Sequence, residues 1–153
     1  MLQRIQTLYL LIASVSMLLA SLLPLVRFTM LNGDIVTFEA MGVYLNGILI
    51  DSTWALMVIG AITSILALLT TFLYKGRLLQ IRLSILNALM MIGFYLFAGF
   101  LFFRIMTSSQ LGGADFSIGF AAFLPFVAIV MSVLAIRRIY ADEALVRSLS
   151  RLR

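Results

Sequence analysis

Histidine and cysteine are both absent from this chain, and proline occurs only twice. Without imidazole or thiol groups, the chain has no histidine general base, no disulfide or thiol redox chemistry, no thiolate zinc site and no histidine-ligated haem. Nine methionines are spread through apolar runs, where such flexible side chains fill gaps in packing. No methionine lies at a chelating spacing from another soft ligand. We therefore expect neither a metal nor a cofactor.

Charged residues are also scarce. They make up 11% of the chain, whereas 63% of it is hydrophobic, and the mean hydropathy is +1.16. Soluble domains are about half apolar and about a quarter charged. The composition therefore predicts an integral membrane protein, with residues 1–153 forming a single domain.

Four apolar runs are long enough to cross a hydrocarbon core as helices. They cover about residues 5–26, 52–74, 83–103 and 116–136. A cleaved signal peptide is the alternative interpretation of the first run. The run is too long for one, however, and Leu18-Leu19-Ala20 is a poor cleavage site. Pro125 lies in the fourth run and predicts a kink there.

The segment 26–50 differs from the runs on either side because it contains turn signals. Asn32-Gly33 and Asn46-Gly47 each separate two short stretches of β-forming residues. Asn-Gly readily adopts the positive φ angles of two-residue hairpin loops. We therefore predict two β-hairpins in series, which form a small antiparallel sheet. An irregular loop with two incidental turns is the alternative.

The last segment, residues 137–153, is polar and amphipathic. Its leucines and Val146 fall on one helical face, and Glu143 precedes Arg147 by four residues, the favourable order for a helical ion pair. This pattern predicts an amphipathic tail that lies on the membrane surface or against a partner.

The basic residues predict the orientation of the chain. With both termini in the cytoplasm, the cytoplasmic segments hold nine of the eleven Lys and Arg residues and two acids, a net charge of +7. The external segments hold two Arg and four acids, a net charge of −2. The positive-inside rule therefore places both termini in the cytoplasm and the sheet outside. It also accounts for the net charge of +5 without a nucleic-acid partner.

Polar residues within the predicted spans are few, and no Asp, Glu, Lys or Arg occurs there. Asn87 either binds a solute or hydrogen-bonds a neighbouring helix, and the second role is the commoner one. The pairs Gly60/Ser64 and Ala128/Ser132 have the spacing of small residues at helix-packing seams. Asp51 precedes the second span, and we expect it to cap that helix.

Polar groups of the two ends form a candidate docking patch on the cytoplasmic face. Attraction to anionic lipid is the simpler explanation for the basic residues among them. The residues of this patch are Gln3, Arg4, Gln6, Asp142, Glu143, Arg147 and Arg151.

The two ends also carry a family resemblance. Met1-Leu2-Gln3-Arg4-Ile5-Gln6-Thr7-Leu8-Tyr9-Leu10, and Asp142-Glu143-Ala144-Leu145-Val146-Arg147-Ser148 followed by Arg151-Leu152-Arg153, resemble the ends of a family of small bacterial inner-membrane proteins. That family is known as domain of unknown function 4293, has four predicted helices and departs from this chain at Ser150, where an acid is expected. The resemblance implies a bacterial inner-membrane location and no particular activity.

Together these observations predict an all-α membrane protein: a bundle of four transmembrane helices with a small extracytoplasmic antiparallel β-sheet between the first two. We expect a non-enzymatic accessory or scaffold subunit whose partners are membrane lipids and other membrane proteins. A small-solute channel or transporter lined by Asn87 is the alternative. A lipid-modifying enzyme near Asp51 or Arg104 is disfavoured, because the acid–base pairs it requires are missing.

Overall fold

A computed structural model describes residues 2–73, 76–107 and 115–150, without the side chains of residues 2–4, 77 and 145–150. Its described residues contain four helices that are long and apolar enough to cross a membrane, which confirms that part of the prediction. These helices are α1 (Leu2–Leu22), α2 (Trp54–Phe72), α3 (Arg77–Thr107) and α4 (Leu124–Ser150).

The four helices form a ring in which α1 and α3 each pack against both α2 and α4. Strands join α1 to α2 and precede α4, so the end of α1, the start of α2, the end of α3 and the start of α4 meet at one sheet. We call this the sheet end of the bundle. The opposite end, where α1 begins and α4 finishes, is the terminal end.

The predicted antiparallel sheet is present, but it has five strands instead of four. Both predicted hairpins occur, and a fifth strand from the α3–α4 connection pairs with the first. The strand order is β4-β3-β2-β1-β5. The strands are β1 (Val26–Thr29), β2 (Ile35–Phe38), β3 (Gly42–Leu45), β4 (Ile48–Ser52) and β5 (Asp115–Ile118).

The two Asn-Gly pairs form different turns. Asn46 and Gly47 have φ angles of 49° and 85° and make the predicted two-residue loop between β3 and β4. Between β1 and β2 only Gly33 has a positive φ, 84°, and the loop covers residues 30–34. It is closed by hydrogen bonds from the Met30 N–H to the Asp34 carbonyl (2.9 Å) and from the Gly33 N–H to the Met30 carbonyl (3.0 Å).

The fourth helix begins at Leu124 and not at 116, because residues 115–118 are strand and Phe120–Phe123 is a 3-10 helix. Gly119 explains the change. A Cβ on this residue would lie 2.6 Å from the Pro24 carbonyl oxygen, so only glycine allows the two backbones to meet here. Pro125 is therefore the second residue of α4. A proline in the first turn of a helix displaces no hydrogen bond, so the basis for a kink is removed.

Two other boundaries differ from the prediction. Within the described residues α4 continues without a break to Ser150, so residues 137–150 extend the fourth helix instead of forming a separate tail. Asp51 lies in β4, and the residue that precedes α2 is Thr53. The Thr53 hydroxyl bonds the backbone carbonyls of Glu39 and Ala40, which ties the start of α2 to the β2–β3 turn.

The inner face of the sheet packs on the sheet end of the bundle. Phe28 and Phe38 point into this junction and are fully buried. Phe102 of α3 stacks on Phe28 and meets Phe116 edge-on, with ring centroids 5.9 Å apart in both pairs. Because one α3 ring contacts both β1 and β5, the sheet and the bundle share a single apolar core.

Candidate functional site

Two charged residues approach each other at the sheet end. Asp51, which we predicted to cap α2, instead approaches Arg104 at the end of α3, with 3.6 Å between Oδ2 and Nη1. Both side chains are more than half exposed, so this pair contributes at most about 1 kcal/mol. Across the described ranges, no three Asp or Glu side chains come together as a metal site.

Asn87 is the most unusual polar residue of the interior. Its side chain is 1% exposed, and neither its Nδ2 nor its Oδ1 has a hydrogen-bond partner among the described residues. Two further buried polar groups also lack a hydrogen-bond partner among the described residues. They are the Ser84 hydroxyl, one turn earlier on α3, and Nε2 of Gln6 on α1. A buried polar atom without a partner costs about 1–3 kcal/mol, so three such side chains in one small bundle require a reason.

Contacts between helices give the depth of Asn87 in the bundle. Gly60 of α2 faces both Ser21 of α1 and Phe94 of α3, so these three residues share one level. Ser14 precedes Ser21 by seven residues, and Asn87 precedes Phe94 by seven. Seven helical residues rise about 10 Å, so Asn87 and Ser14 lie at similar depths, both toward the terminal end.

At that depth Ser14 and Ser64 join α1 to α2 through their side chains. Nearer the terminal end, Nε2 of Gln80 donates to the Thr70 carbonyl oxygen (3.1 Å) and joins the start of α3 to the end of α2. We call the buried polar residues of this half the polar interior. They are Gln6, Ser14, Ser16, Thr63, Ser64, Thr70, Gln80, Ser84, Asn87 and Ser132.

The other half of the bundle has a different core. Toward the sheet end the fully buried side chains are mostly apolar, among them Met17, Ala20, Phe94 and Leu56. Buried polar side chains are therefore concentrated in the terminal half, where they lie among apolar ones such as Leu10 and Ile139. Sequence reasoning identified Asn87 but missed this concentration, because single serines and threonines in an apolar helix carry no sign of which way they face.

The predicted packing residues lie at helix contacts. A Cβ at Gly60 would collide with the Ser21 hydroxyl and come within 3.2 Å of the Phe94 ring. Ala128 is fully buried, and the Ser132 hydroxyl donates to Sδ of Met91 at 3.5 Å, which joins α4 to α3. Ser64 makes the α1–α2 contact described above.

The predicted docking patch is only partly visible. Gln6 is buried inside the bundle and offers no surface to a partner. Asp142 and Glu143 are half-buried on α4, and each makes an interaction of its own. The side chains of Gln3, Arg4 and Arg147 are not described, and Arg151 lies outside the described residues.

A second candidate surface is the free edge of the sheet. β4 is an edge strand, and all five of its residues are exposed. Its side chains include three large apolar ones, and Ile48 is 73% exposed. Edge strands are usually protected by charged side chains or proline, and β4 has no proline and one charge, Asp51, near its end. The sequence predicted a strand here but not that it would lie at an edge.

The two ends of the bundle thus differ, with an apolar core and an unprotected strand at one end and buried, unpartnered amides at the other. In a comparison with curated proteins, none matched the chain. The family model described as Domain of unknown function (DUF4293) matches residues 2–152, which is nearly the whole chain. The resemblance seen at the two termini therefore extends over the full length, and the chain belongs to the DUF4293 family.

Proposed function

We propose that this chain is a non-enzymatic accessory or scaffold subunit of the bacterial inner membrane. Its four apolar helices cross the bilayer, both termini are cytoplasmic, and the sheet lies on the outer face. The distribution of charge along the sequence supports this orientation, because nine of the eleven basic residues precede the first apolar run, lie between the second and third runs, or follow the fourth. Its partners are membrane lipids and another membrane protein.

The observation that carries this proposal is the free edge of β4. An unpaired strand offers a row of N–H and C=O groups to which a partner adds a strand of its own, while side-chain contacts supply the specificity. Ile48, Leu49 and Ile50 present apolar side chains beside that row. An exposed apolar edge invites aggregation unless it is covered, so a partner strand gives this edge a function.

Co-purification tests the proposal. The tagged chain is extracted from its native membrane in mild detergent, and the proteins that accompany it are identified by mass spectrometry. Ile48→Lys places a charge on the edge strand. Leu31→Lys is the matched control, because Leu31 is 86% exposed in the β1–β2 loop of the same sheet but lies away from the edge.

We expect a stoichiometric partner with the unmodified chain and with Leu31→Lys, and its loss with Ile48→Lys. Equal retention in both variants would remove β4 from the interface. Absence of any partner from the unmodified chain would reject the subunit proposal and favour the alternative function.

That alternative is a small-solute channel or transporter, and the buried Asn87 amide favours it. A neutral amide with a free donor and a free acceptor suits an uncharged hydrogen-bonding solute better than an ion. Uptake of small neutral solutes into liposomes that contain the purified chain tests this function. Flux that Asn87→Leu abolishes would support it, and flux equal to that of protein-free liposomes would count against it.

A further inference from the structure

A groove of about 210 Å³ opens on the side of the molecule between α3, the 3-10 helix and the sheet. Phe38 and Phe94 form buried parts of its wall, whereas Phe123 at its rim is 56% exposed. Tyr95 supplies the one side-chain hydroxyl among the residues that line it, and this hydroxyl donates to the Ala122 carbonyl oxygen at 2.9 Å. The walls are therefore apolar, and the hydroxyl is already bonded.

The depth of the groove follows from its position along α3. Phe94 and Phe102, which line it, precede the helix end at Thr107 by 13 and 5 residues, or roughly 20 and 8 Å of helix. Arg104, which is exposed and pairs with Asp51, lies two residues beyond Phe102 on the water side. The groove therefore spans most of the hydrocarbon depth of one leaflet, about 15 Å.

We propose that the groove binds one acyl chain of a membrane phospholipid from the leaflet on the sheet side. This inference rests on the membrane insertion proposed above. Pockets for compact ligands usually measure about 300–1,000 Å³, and a helix with its side chains is about 10 Å across. The groove is too small for either, whereas an extended hydrocarbon chain is narrow enough to lie in an apolar groove that runs from Phe94 to Phe102 along α3.

The bilayer is already apolar, so an acyl chain stays in the groove only if the protein offers it contacts that the surrounding lipid does not. The rings of Tyr95, Phe102 and Phe123 supply that contact, because they are the lining rings with exposed surface on which a hydrocarbon chain gains dispersion energy. The ring stack of Phe102 on Phe28 holds part of this surface in place.

Two glycines of α3 provide a matched pair for the test. Gly99 lines the groove, and a Cβ added to it would meet no atom within 4 Å. The position therefore accepts a Cβ, and the longer side chain of Gly99→Leu occupies part of the groove. Gly93 on the same helix is equally open but does not line the groove, so Gly93→Leu controls for the added bulk.

The experiment uses the full chain in vesicles of phosphatidylethanolamine and phosphatidylglycerol that contain a trace of phosphatidylcholine with a diazirine in one acyl chain. After illumination, mass spectrometry maps the lipid adducts. We expect a concentration of adducts on Phe94–Phe102 and Phe123. In Gly99→Leu this yield should fall by roughly tenfold, because the leucine takes the volume that the chain requires, and in Gly93→Leu it should persist.

Other results would overturn the proposal in distinguishable ways. Adducts on the outer surfaces of all four helices but none in the groove would show insertion without an acyl-chain site. Equal adduct losses in both variants would indicate ordinary lipid contact. Absence of adducts from every helix would reject membrane insertion itself. A co-purified protein crosslinked at the groove in place of lipid would make the site a protein interface.

Discussion

Ser14 and Ser64 exchange hydrogen bonds across the α1–α2 interface. The Ser14 hydroxyl donates to the Ser64 carbonyl oxygen (2.9 Å), and the Ser64 hydroxyl donates to the Ser14 carbonyl oxygen (3.0 Å). Both side chains are buried. The pair is reciprocal, so each serine satisfies its own donor and adds an acceptor contact to the backbone of the other helix. Such polar contacts fix the rotation of two helices that are otherwise apolar all round.

We expect Ser14→Ala to lower the free energy of unfolding by about 0.6 kcal/mol, and by no more than about 1.7 kcal/mol, the range for interhelical hydrogen bonds in membranes. Denaturant unfolding in detergent micelles measures the change. Combining it with Ser64→Ala should cost slightly less than the sum of the two single effects, because each substitution also removes the shared contact of 3.3 Å between the two hydroxyl oxygens. Thr71→Ala is the control, because the Thr71 hydroxyl bonds within its own helix, to the Ala67 carbonyl oxygen at 3.1 Å. Strict additivity would show that the two hydroxyl groups do not interact with each other.

The second prediction concerns Gly60, where α2 lies close to side chains of α1 and α3. Gly60→Ala introduces a methyl group where Ser21 and Phe94 leave no room, so we expect a loss of about 1–3 kcal/mol in the same unfolding measurement. Gly93→Ala, where no atom lies within 4 Å, should instead stabilise the protein by up to about 1 kcal/mol through helix propensity. Adding Ser21→Ala to Gly60→Ala should recover part of the loss. If Gly60→Ala and Gly93→Ala change the free energy of unfolding by similar amounts, Gly60 does not lie at a close helix contact.

A third prediction concerns Asn87. Because both of its side-chain atoms are buried and unpartnered among the described residues, Asn87→Leu should raise the free energy of unfolding by about 1 kcal/mol. Asn87→Ala is the companion variant, since it removes the amide and leaves a space. If Asn87→Leu instead lowers the free energy of unfolding by about as much as Asn87→Ala does, loss of the amide itself is costly and the amide must have a bonded partner in solution.

The β3–β4 turn gives a fourth prediction. Asn46 has a positive φ, its Oδ1 accepts from the Ile35 N–H (3.0 Å), and its Nδ2 donates to Oδ1 of Asp34 (2.8 Å). Asn46→Ala should cost about 1–2 kcal/mol and speed proteolysis of the sheet, because it strains the backbone and removes both bonds. Asn46→Gly keeps the backbone conformation and loses only the bonds, so its effect should be smaller. If Asn46→Ala and Asn46→Gly are cleaved at equal rates, the backbone angle at this position does not affect the stability of the sheet.

The absence of cysteine makes the orientation directly measurable. We expect Leu31→Cys to react with a membrane-impermeant maleimide in spheroplasts, and Ala144→Cys to react only after the membrane is disrupted. Both positions are exposed, so burial does not limit either reaction. The reverse labelling pattern would place the sheet in the cytoplasm.

Much of the fold follows from local signals in the sequence. Long uncharged runs identify the four helices, and Asn46-Gly47 identifies a two-residue turn because the conformation it favours needs no distant partner. β5 was missed for the opposite reason. Phe116-Ser117-Ile118 continues into an apolar run, and only pairing with β1 makes it a strand. Gly119 was the available sign, since an isolated glycine in such a run marks a close backbone approach.

The candidate sites also differ in whether a local sequence pattern could predict them. Asn87 stands out in the sequence because an amide in an apolar helix is rare, and Gly60 and Ser64 have the spacing of a packing seam. The free edge of β4 and the groove beside Gly99 depend on which elements become neighbours, and no local pattern encodes that. Gln6 was misplaced on the surface because the polarity of a side chain does not determine its burial.

The pairing of β1 with β5 also sets the order of folding. Arg27 pairs with Ser117, a separation of 90 residues, so the two strands meet only after α2 and α3 have been synthesised. At about 5–20 residues per second, that interval lasts roughly 5–20 seconds. Both hairpins form during this interval because each joins strands that are close in sequence, whereas the β1 edge stays unpaired until β5 is made. A nascent chain therefore holds a four-stranded sheet whose β1 edge stays unpaired until β5 has been synthesised and becomes the new edge.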